Sequence, residues 1–224
     1  MIIIGIVGSP ASGKSTVAKR LEKLGGTWIH ADSIAKEVLD EPKIRELVIQ
    51  HFGGEIQGDA GSIDRQKLAK AVFGDDEEKR SSLTYLESIL HPETKKRISK
   101  EISLAKSADC PLVALEIPLM FESQWDLVCD EIWCVDAPIA RRIAWAQARN
   151  WTAEDLRKRE SNQIALKIKK ELSNLVIIND KDRADLESLV DQRWAHLMSV
   201  SRTPTTTHCT YSFPPSRTHG SSTK

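Results

Sequence analysis

The chain has 224 residues, more than one usual domain and fewer than two, so a single core with an inserted or appended piece is expected. Lys plus Arg number 32 and Asp plus Glu number 32, which removes any global field for nucleic acid or an anionic membrane and makes anion binding a local matter. No apolar run approaches the roughly 20 residues of a membrane span, so a soluble, cytoplasmic monomer is expected, with neither a nucleic-acid nor a membrane partner.

Residues 2–7 are nearly continuous in Ile and Val, as in a strand buried on both faces of a parallel sheet. They lack the basic flank of a signal peptide, and Gly, Ser and Pro interrupt the run. Next comes Gly8-Ser9-Pro10-Ala11-Ser12-Gly13-Lys14-Ser15, which fits G-x-x-x-x-G-K-[ST]. Glycines let such a loop turn tightly, so that successive amide N–H groups point inward at a helix N-terminus and form an anion nest. Ala11, Ser12, Gly13, Lys14, Ser15 and Thr16 are therefore the expected nucleotide contacts. Lys14 would reach the β- and γ-phosphates of ATP, and the Ser15 hydroxyl would hold Mg²⁺. Val17, Leu21 and Leu24 make the apolar stripe of the following helix.

A second strand is expected at 27–29, and Asp32 falls just beyond it, where open α/β sheets place their ligands. Ionised at neutral pH, Asp32 can accept a proton from an acceptor hydroxyl. It can equally cap a helix beginning near Ser33, and spacing does not separate the two roles. The interval 32–108 reads as a helical insertion, with helices over 64–73, 75–90 and from Pro92 onward, proline suiting a first helical turn. Within it Arg65 has the fork geometry to hold a phosphate, or is a plain surface residue. His91 is a ligand contact or a capping or core histidine.

Further strands are expected at 112–118, 131–135 and 175–178, separated by helical segments, which implies a doubly wound, five-stranded parallel α/β sheet. Glu116, near the end of the third, is a second-shell carboxylate for Mg²⁺ or the partner of a core cation. The charged interval 141–165 reads as a helical lid, with Thr152 and Asp155 spaced for a capping box. Residues 201–224 are rich in Ser, Thr and Pro and are expected to be a disordered tail. The fold is thus a nucleotide-binding core, 1–31 and 109–200, around a substrate-binding insertion at 32–108.

Four cysteines, Cys110, Cys129, Cys134 and Cys209, form no C-x-x-C pair, and Cys129 and Cys134 are read as buried, reduced thiols. A GTPase switch needs D-x-x-G and N-K-x-D. None of the eleven glycines has Asp three positions earlier, and no Asn precedes Lys, which disfavours it. A small-molecule kinase remains, with another nucleoside or nucleotide kinase and an ATP-binding regulatory module as the alternatives.

Beyond the phosphate loop, several segments run in order from Gly5 to about Val190. They are Ala31-Asp32-Ser33-Ile34-Ala35, Asp64-Arg65 with Leu68 and Val72-Phe73, and Leu86-Glu87 with Ile89 and His91-Pro92. Pro118-Leu119-Met120-Phe121-Glu122, then Arg149, Arg159 and Gln163, and finally Ile177-Ile178-Asn179 complete the set. Together they resemble the dephospho-coenzyme A kinases. The resemblance implies phosphorylation of the ribose 3′-hydroxyl of dephospho-coenzyme A by ATP with Mg²⁺, the last step of coenzyme A synthesis. It implies Lys14, Asp32 and Arg149 as catalytic, Arg142, Arg159 and Asn179 as further nucleotide contacts, and Asp32, Arg65, His91, Pro118 and Leu119 as substrate contacts. The chain departs from the family at His30, where the family has aspartate, at Trp145, where arginine is expected, at Asp180-Lys181 after Asn179, and at Ser9-Pro10.

Overall fold

The structure, a computed structural model, describes residues 1–74 and 76–200. Cys209 and the Ser/Thr/Pro-rich tail therefore lie outside the described residues.

Five strands, β1 (Ile2–Gly8), β2 (Thr27–His30), β3 (Leu112–Glu116), β4 (Glu131–Asp136) and β5 (Leu175–Ile178), form one all-parallel sheet in the order β2-β3-β1-β4-β5. The two-residue strand period sorts its side chains onto two cores. On one face Val7, Ile29, Val113, Leu115, Ile132 and Cys134 pack among helices. On the other, Ile4, Ile6, Leu112, Ala114, Trp133, Val135 and Ile177 meet Val17, Ala18 and Leu21 of α1 (Lys14–Lys23) and Leu186 and Val190 of α9 (Arg183–Val200). Burial on both sides is why these strands read as unbroken apolar runs.

Between β2 and β3 the chain is helical: α2 (Ala31–Asp40), α3 (Pro42–Phe52), α4 (Arg65–Val72) and α5 (Glu77–Ser107). Asp64 caps α4, its carboxylate accepting the N–H groups of Gln66 and Lys67 at 2.9 and 3.1 Å. The expected break at Pro92 is absent. Proline inside a helix loses one ladder bond and costs about 3 kcal/mol, yet α5 runs on for 31 residues. Burial of Leu86 before the proline and of Ile98 and Ala105 after it holds the two halves in line. Arg97 adds ion pairs to Glu37 at 3.7 Å and Glu41 at 3.9 Å, which fasten α5 to α2. His91 is accordingly neither cap nor core, but an exposed mid-helix residue.

After β4 come α6 (Ile139–Gln147), α7 (Ala153–Ser161) and α8 (Leu166–Glu171). The capping box is present: Thr152 Oγ1 accepts the Asp155 N–H at 3.1 Å and the Asp155 carboxylate accepts the Thr152 N–H at 2.9 Å. Among the described residues no helix is long and apolar enough to cross a membrane.

Candidate active site

Neighbouring strands β1 and β3 send their onward connections toward opposite edges of the sheet, to β2 and to β4, and ligands of such sheets bind at that switch point. The turn after β1 is shaped by backbone that side chains resist. Gly8 has φ +138°, and a Cβ there would stand 2.0 Å from the Val135 carbonyl oxygen. Gly13 has φ +104°, and its Cβ would meet Asn179 Nδ2 at 2.4 Å. That amide instead donates to the Ser12 carbonyl at 2.9 Å, so buried Asn179 ties the end of β5 to the loop. Ala11 is held at φ +59°.

Lys14 opens α1 and folds back across the turn, donating to the carbonyls of Ser9 at 2.8 Å and Gly8 at 3.2 Å. Its ammonium is enclosed, and burial lowers its pKa from 10.5 to about 8, against the attraction of Glu116 and Asp32 and with a further push from Lys169. The Ser12 hydroxyl is wholly buried and has no partner, an orphan polar atom inside the turn. The site is built for an anion that it does not itself supply.

Beside the turn, Ser15 Oγ donates to Glu116 Oε1 at 2.9 Å and the Trp28 indole N–H donates to Glu116 Oε2 at 3.2 Å. Each oxygen of this buried carboxylate is thus occupied, and its charge also reaches Lys14. The donors are oxygens only, which suits a hard divalent cation. No group of three or more His, Cys, Asp or Glu able to hold a metal occurs among the described residues. A cation at Ser15 would thus take most of its ligands from phosphate and water, which is how magnesium is ordinarily held.

Asp32 lies in the first turn of α2, exposed, and its charge reaches Lys14. His30, not Asp32, occupies the N-cap position, and the Asp32 side chain makes no capping bond. His30 Nδ1 pairs with Ser33 Oγ at 2.7 Å while its ring leans on Trp28 at 5.4 Å, which leaves the Asp32 carboxylate without a structural duty there. Arg65 is half exposed and donates to Asp40 at 2.6 Å, bringing α4 onto the helix that carries Asp32. Pro118 and Leu119, just past β3, are partly buried. His91 lies farther along α5 on the surface.

A cavity of about 470 Å³ adjoins the turn, lined among others by Gly13, Thr16, Trp145, Arg149 and Asn179. The tryptophan that replaces an expected arginine therefore forms an aromatic wall. Arg159 and Arg149 lie over the Trp151 ring, 4.0 and 5.8 Å from its centroid, and both are exposed. Arg142 differs: it is buried, bonded to the Glu160 carboxylate and to the Ala137 carbonyl, and so joins α6 to α7. Trp28, Trp145, Trp151 and buried Lys169 were not among the expected functional residues. A tryptophan in an apolar pattern reads as core, and nothing in the spacing marks its N–H or its ring face.

The thiols of Cys129 and Cys134 are inert by environment. Burial first, and neighbouring carboxylates second, push Cys129 up to about 12 and Cys134 up to about 11. Cys134 is buried as expected, while Cys129 is partly buried and donates to the Trp125 carbonyl.

The family model for dephospho-CoA kinase matches residues 2–185. The chain is 41% identical over 196 residues to a dephospho-CoA kinase of Rhodopirellula baltica, covering 88% of this chain and 91% of that one. It is 40% identical over 180 residues to a dephospho-CoA kinase of Carboxydothermus hydrogenoformans, covering 79% and 85%. The crystal structure of a Thermus thermophilus protein superposes with a TM-score of 0.73 at 33% identity, covering 88% of this chain and 97% of that one. The fold is shared as well by a Campylobacter jejuni dephospho-CoA kinase, at a TM-score of 0.62 and 22% identity, covering 87% and 96%. With the match running through the phosphate loop, the helical insertion and the strand that leads into Asn179, this chain belongs to the dephospho-CoA kinase family.

Proposed function

We propose that this protein transfers the γ-phosphoryl group of ATP to the ribose 3′-hydroxyl of dephospho-coenzyme A. The observation that carries the reading is the opposition of Lys14, enclosed in an anion-binding turn, and Asp32, a carboxylate at the tip of the next strand whose charge reaches it. Oxygen nucleophile, base and phosphate cradle then share one edge of the sheet. As the hydroxyl oxygen bonds to phosphorus and the bond to the bridging oxygen of ADP breaks, the hydroxyl proton passes to the Asp32 carboxylate.

Charge in this transfer spreads over the equatorial phosphoryl oxygens, so catalysis is mostly positioning and cationic stabilisation. Lys14 and the loop amides of Ala11 through Thr16 hold the triphosphate. The adenosine occupies the cavity between Trp145, Thr16 and Asn179. Residues 141–165 act as a lid within the core formed by 1–31 and 109–200. Its Arg149 and Arg159, stacked on Trp151 in the structure, swing onto the phosphates when it closes, while Arg142 serves from its pairing with Glu160. Residues 32–108 hold the acceptor, with Arg65 at its phosphates, Pro118 and Leu119 against it, and His91 at the far end of the insertion. Bound magnesium, held by Ser15 and oriented through Glu116, would neutralise charge on the phosphates. The protein acts as a cytoplasmic monomer on small molecules, its balanced charge giving no global field toward nucleic acid or an anionic membrane.

Incubation with ATP, Mg²⁺ and dephospho-coenzyme A, with nucleosides as controls, should yield coenzyme A. Asp32→Asn should bind ATP as the parent does and lose about 10² to 10⁴ in kcat, the usual worth of a positioned base. Turnover of a nucleoside in place of dephospho-coenzyme A would reassign the acceptor, and an unimpaired Asp32→Asn enzyme would remove the base.

A further inference from the structure

Lysine is almost never fully buried without a carboxylate partner. Lys169, on α8, is only 2% exposed. Its flanking residues follow the rule: Lys170 pairs with Asp136 at 2.5 Å and Lys167 with Glu171 at 3.9 Å. Lys169 does not. Its ammonium donates to the neutral Gln163 amide oxygen at 2.5 Å, and no carboxylate of the described residues lies within ion-pair distance of it. The carboxylates whose charges reach it are both committed elsewhere, Glu160 to Arg142 and Glu122 to the Ile164 N–H at 2.7 Å. The remaining group that acts on it, Cys134, is a buried thiol.

The place of this unmatched charge is informative. Lys169 lines a cavity of about 300 Å³ whose other wall is Ser9 and Pro10 of the phosphate loop, together with Arg142, Glu160 and Gln163. The helix that carries it packs on β1, the strand that delivers that loop, so its position is set by the sheet and not by the lid. Lys14, on the inner side of the same turn, feels Lys169 as a repelling neighbour. Partly buried Lys14 and buried Lys169 flank one turn, and among the described residues neither has a carboxylate within ion-pair distance. An arrangement that is costly alone and relieved by an anion is a binding site for that anion.

We propose that Lys169 is a further phosphate-binding residue of this enzyme, a fixed cation that reaches the terminal phosphates of the nucleotide past Ser9 while Gln163 aims its ammonium. The assignment rests on the kinase reading above and adds to it a charge that is in place before any lid movement. Gln163 is then a positioning residue, and the Ser9-Pro10 departure from a glycine-rich turn forms the wall between the two lysines.

The test uses the full chain and inorganic tripolyphosphate, a probe without nucleoside, alongside the complete reaction. Lys169→Met should lower tripolyphosphate affinity and kcat/KM for ATP at least tenfold, leave the KM for dephospho-coenzyme A within about twofold, and leave the ligand-free unfolding midpoint unchanged or higher. Lys169→Arg should recover part of both losses, which a purely structural lysine would not require. A folded Lys169→Met protein that binds tripolyphosphate as the parent does overturns the proposal. Should that variant fail to fold, the parent labelled with ¹⁵N at lysine Nζ decides, with Lys169→Arg identifying the resonance. The Lys169 signal must move on adding tripolyphosphate, and a fixed signal rejects the site. A parent that binds tripolyphosphate through Lys169 but makes no coenzyme A would sink the acceptor assignment while supporting the anion site.

Discussion

Removing the charge of Lys14 should make the ligand-free protein more tolerant of neutral pH, because an enclosed ammonium is a burden until a phosphate arrives. The ordinary lysine value is 10.5 and the folded value about 8. At about 1.4 kcal/mol per unit, the full linkage is about 3 kcal/mol. Its sign follows from proton counting. Below pH 8 both folded and unfolded chains hold the proton and the penalty is complete. Between about 8 and 10.5 the folded chain has released it and the unfolded chain has not, so stability climbs with pH. Above 10.5 neither holds it. Cys129 and Cys134 act oppositely, since thiols raised to about 12 and about 11 keep protons that the unfolded chain loses above 9. They are present in both proteins, so the diagnostic quantity is the difference between the parent and Lys14→Met. Urea unfolding from pH 7 to 10.5 should show that difference, parent minus variant, rising by up to about 3 kcal/mol, and saturating tripolyphosphate should flatten it. Parallel profiles without ligand would refute the claim that the ammonium is enclosed.

Trp28→Phe removes the donor to Glu116 Oε2 while keeping an aromatic ring. The loss of about 1 kcal/mol of hydrogen bonding should appear as a roughly fivefold fall in kcat/KM with a raised requirement for Mg²⁺, read from magnesium titrations of initial rates. Gly8→Ala places a methyl 2.0 Å from the Val135 carbonyl at φ +138°. It should cost more than about 2 kcal/mol of stability by urea unfolding and abolish nucleotide binding. Trp151→Ala frees Arg149 and Arg159 from their aromatic platform. Stopped-flow nucleotide binding should show a changed association rate, with a stability loss of about 1–3 kcal/mol because Trp151 also packs against the Ala146 and Leu156 cluster.

The strands were legible because burial on both faces leaves an apolar signature that polar neighbours do not dilute, and the phosphate turn because few residue orders provide its backbone. Pro92 misled because a local rule about one lost hydrogen bond cannot register Leu86 and Ile98, whose burial spans it. His30 was visible as a substitution, but its occupation of the cap, which frees Asp32, depends on a backbone angle and on the bond to Ser33. The environment of Lys169 was hidden for a related reason. A lysine among Lys167, Lys170 and Glu171 looks like one more solvated charge until the sheet decides which way each points.

The length of α5 has a mechanical meaning. At 1.5 Å per residue its 31 residues make a rod of roughly 46 Å, one end following α4 in the helical insertion and the other delivering the chain to β3. Arg97 clamps the shaft on the sheet side of Pro92, so a tilt of about 5° about that clamp would sweep the distal tip, about 30 Å away, through roughly 2.6 Å while Glu116 at the end of β3 stays still. On the proposed reading, the insertion would accommodate a long, flexible acceptor by leaning, without disturbing the carboxylate that accepts from Ser15.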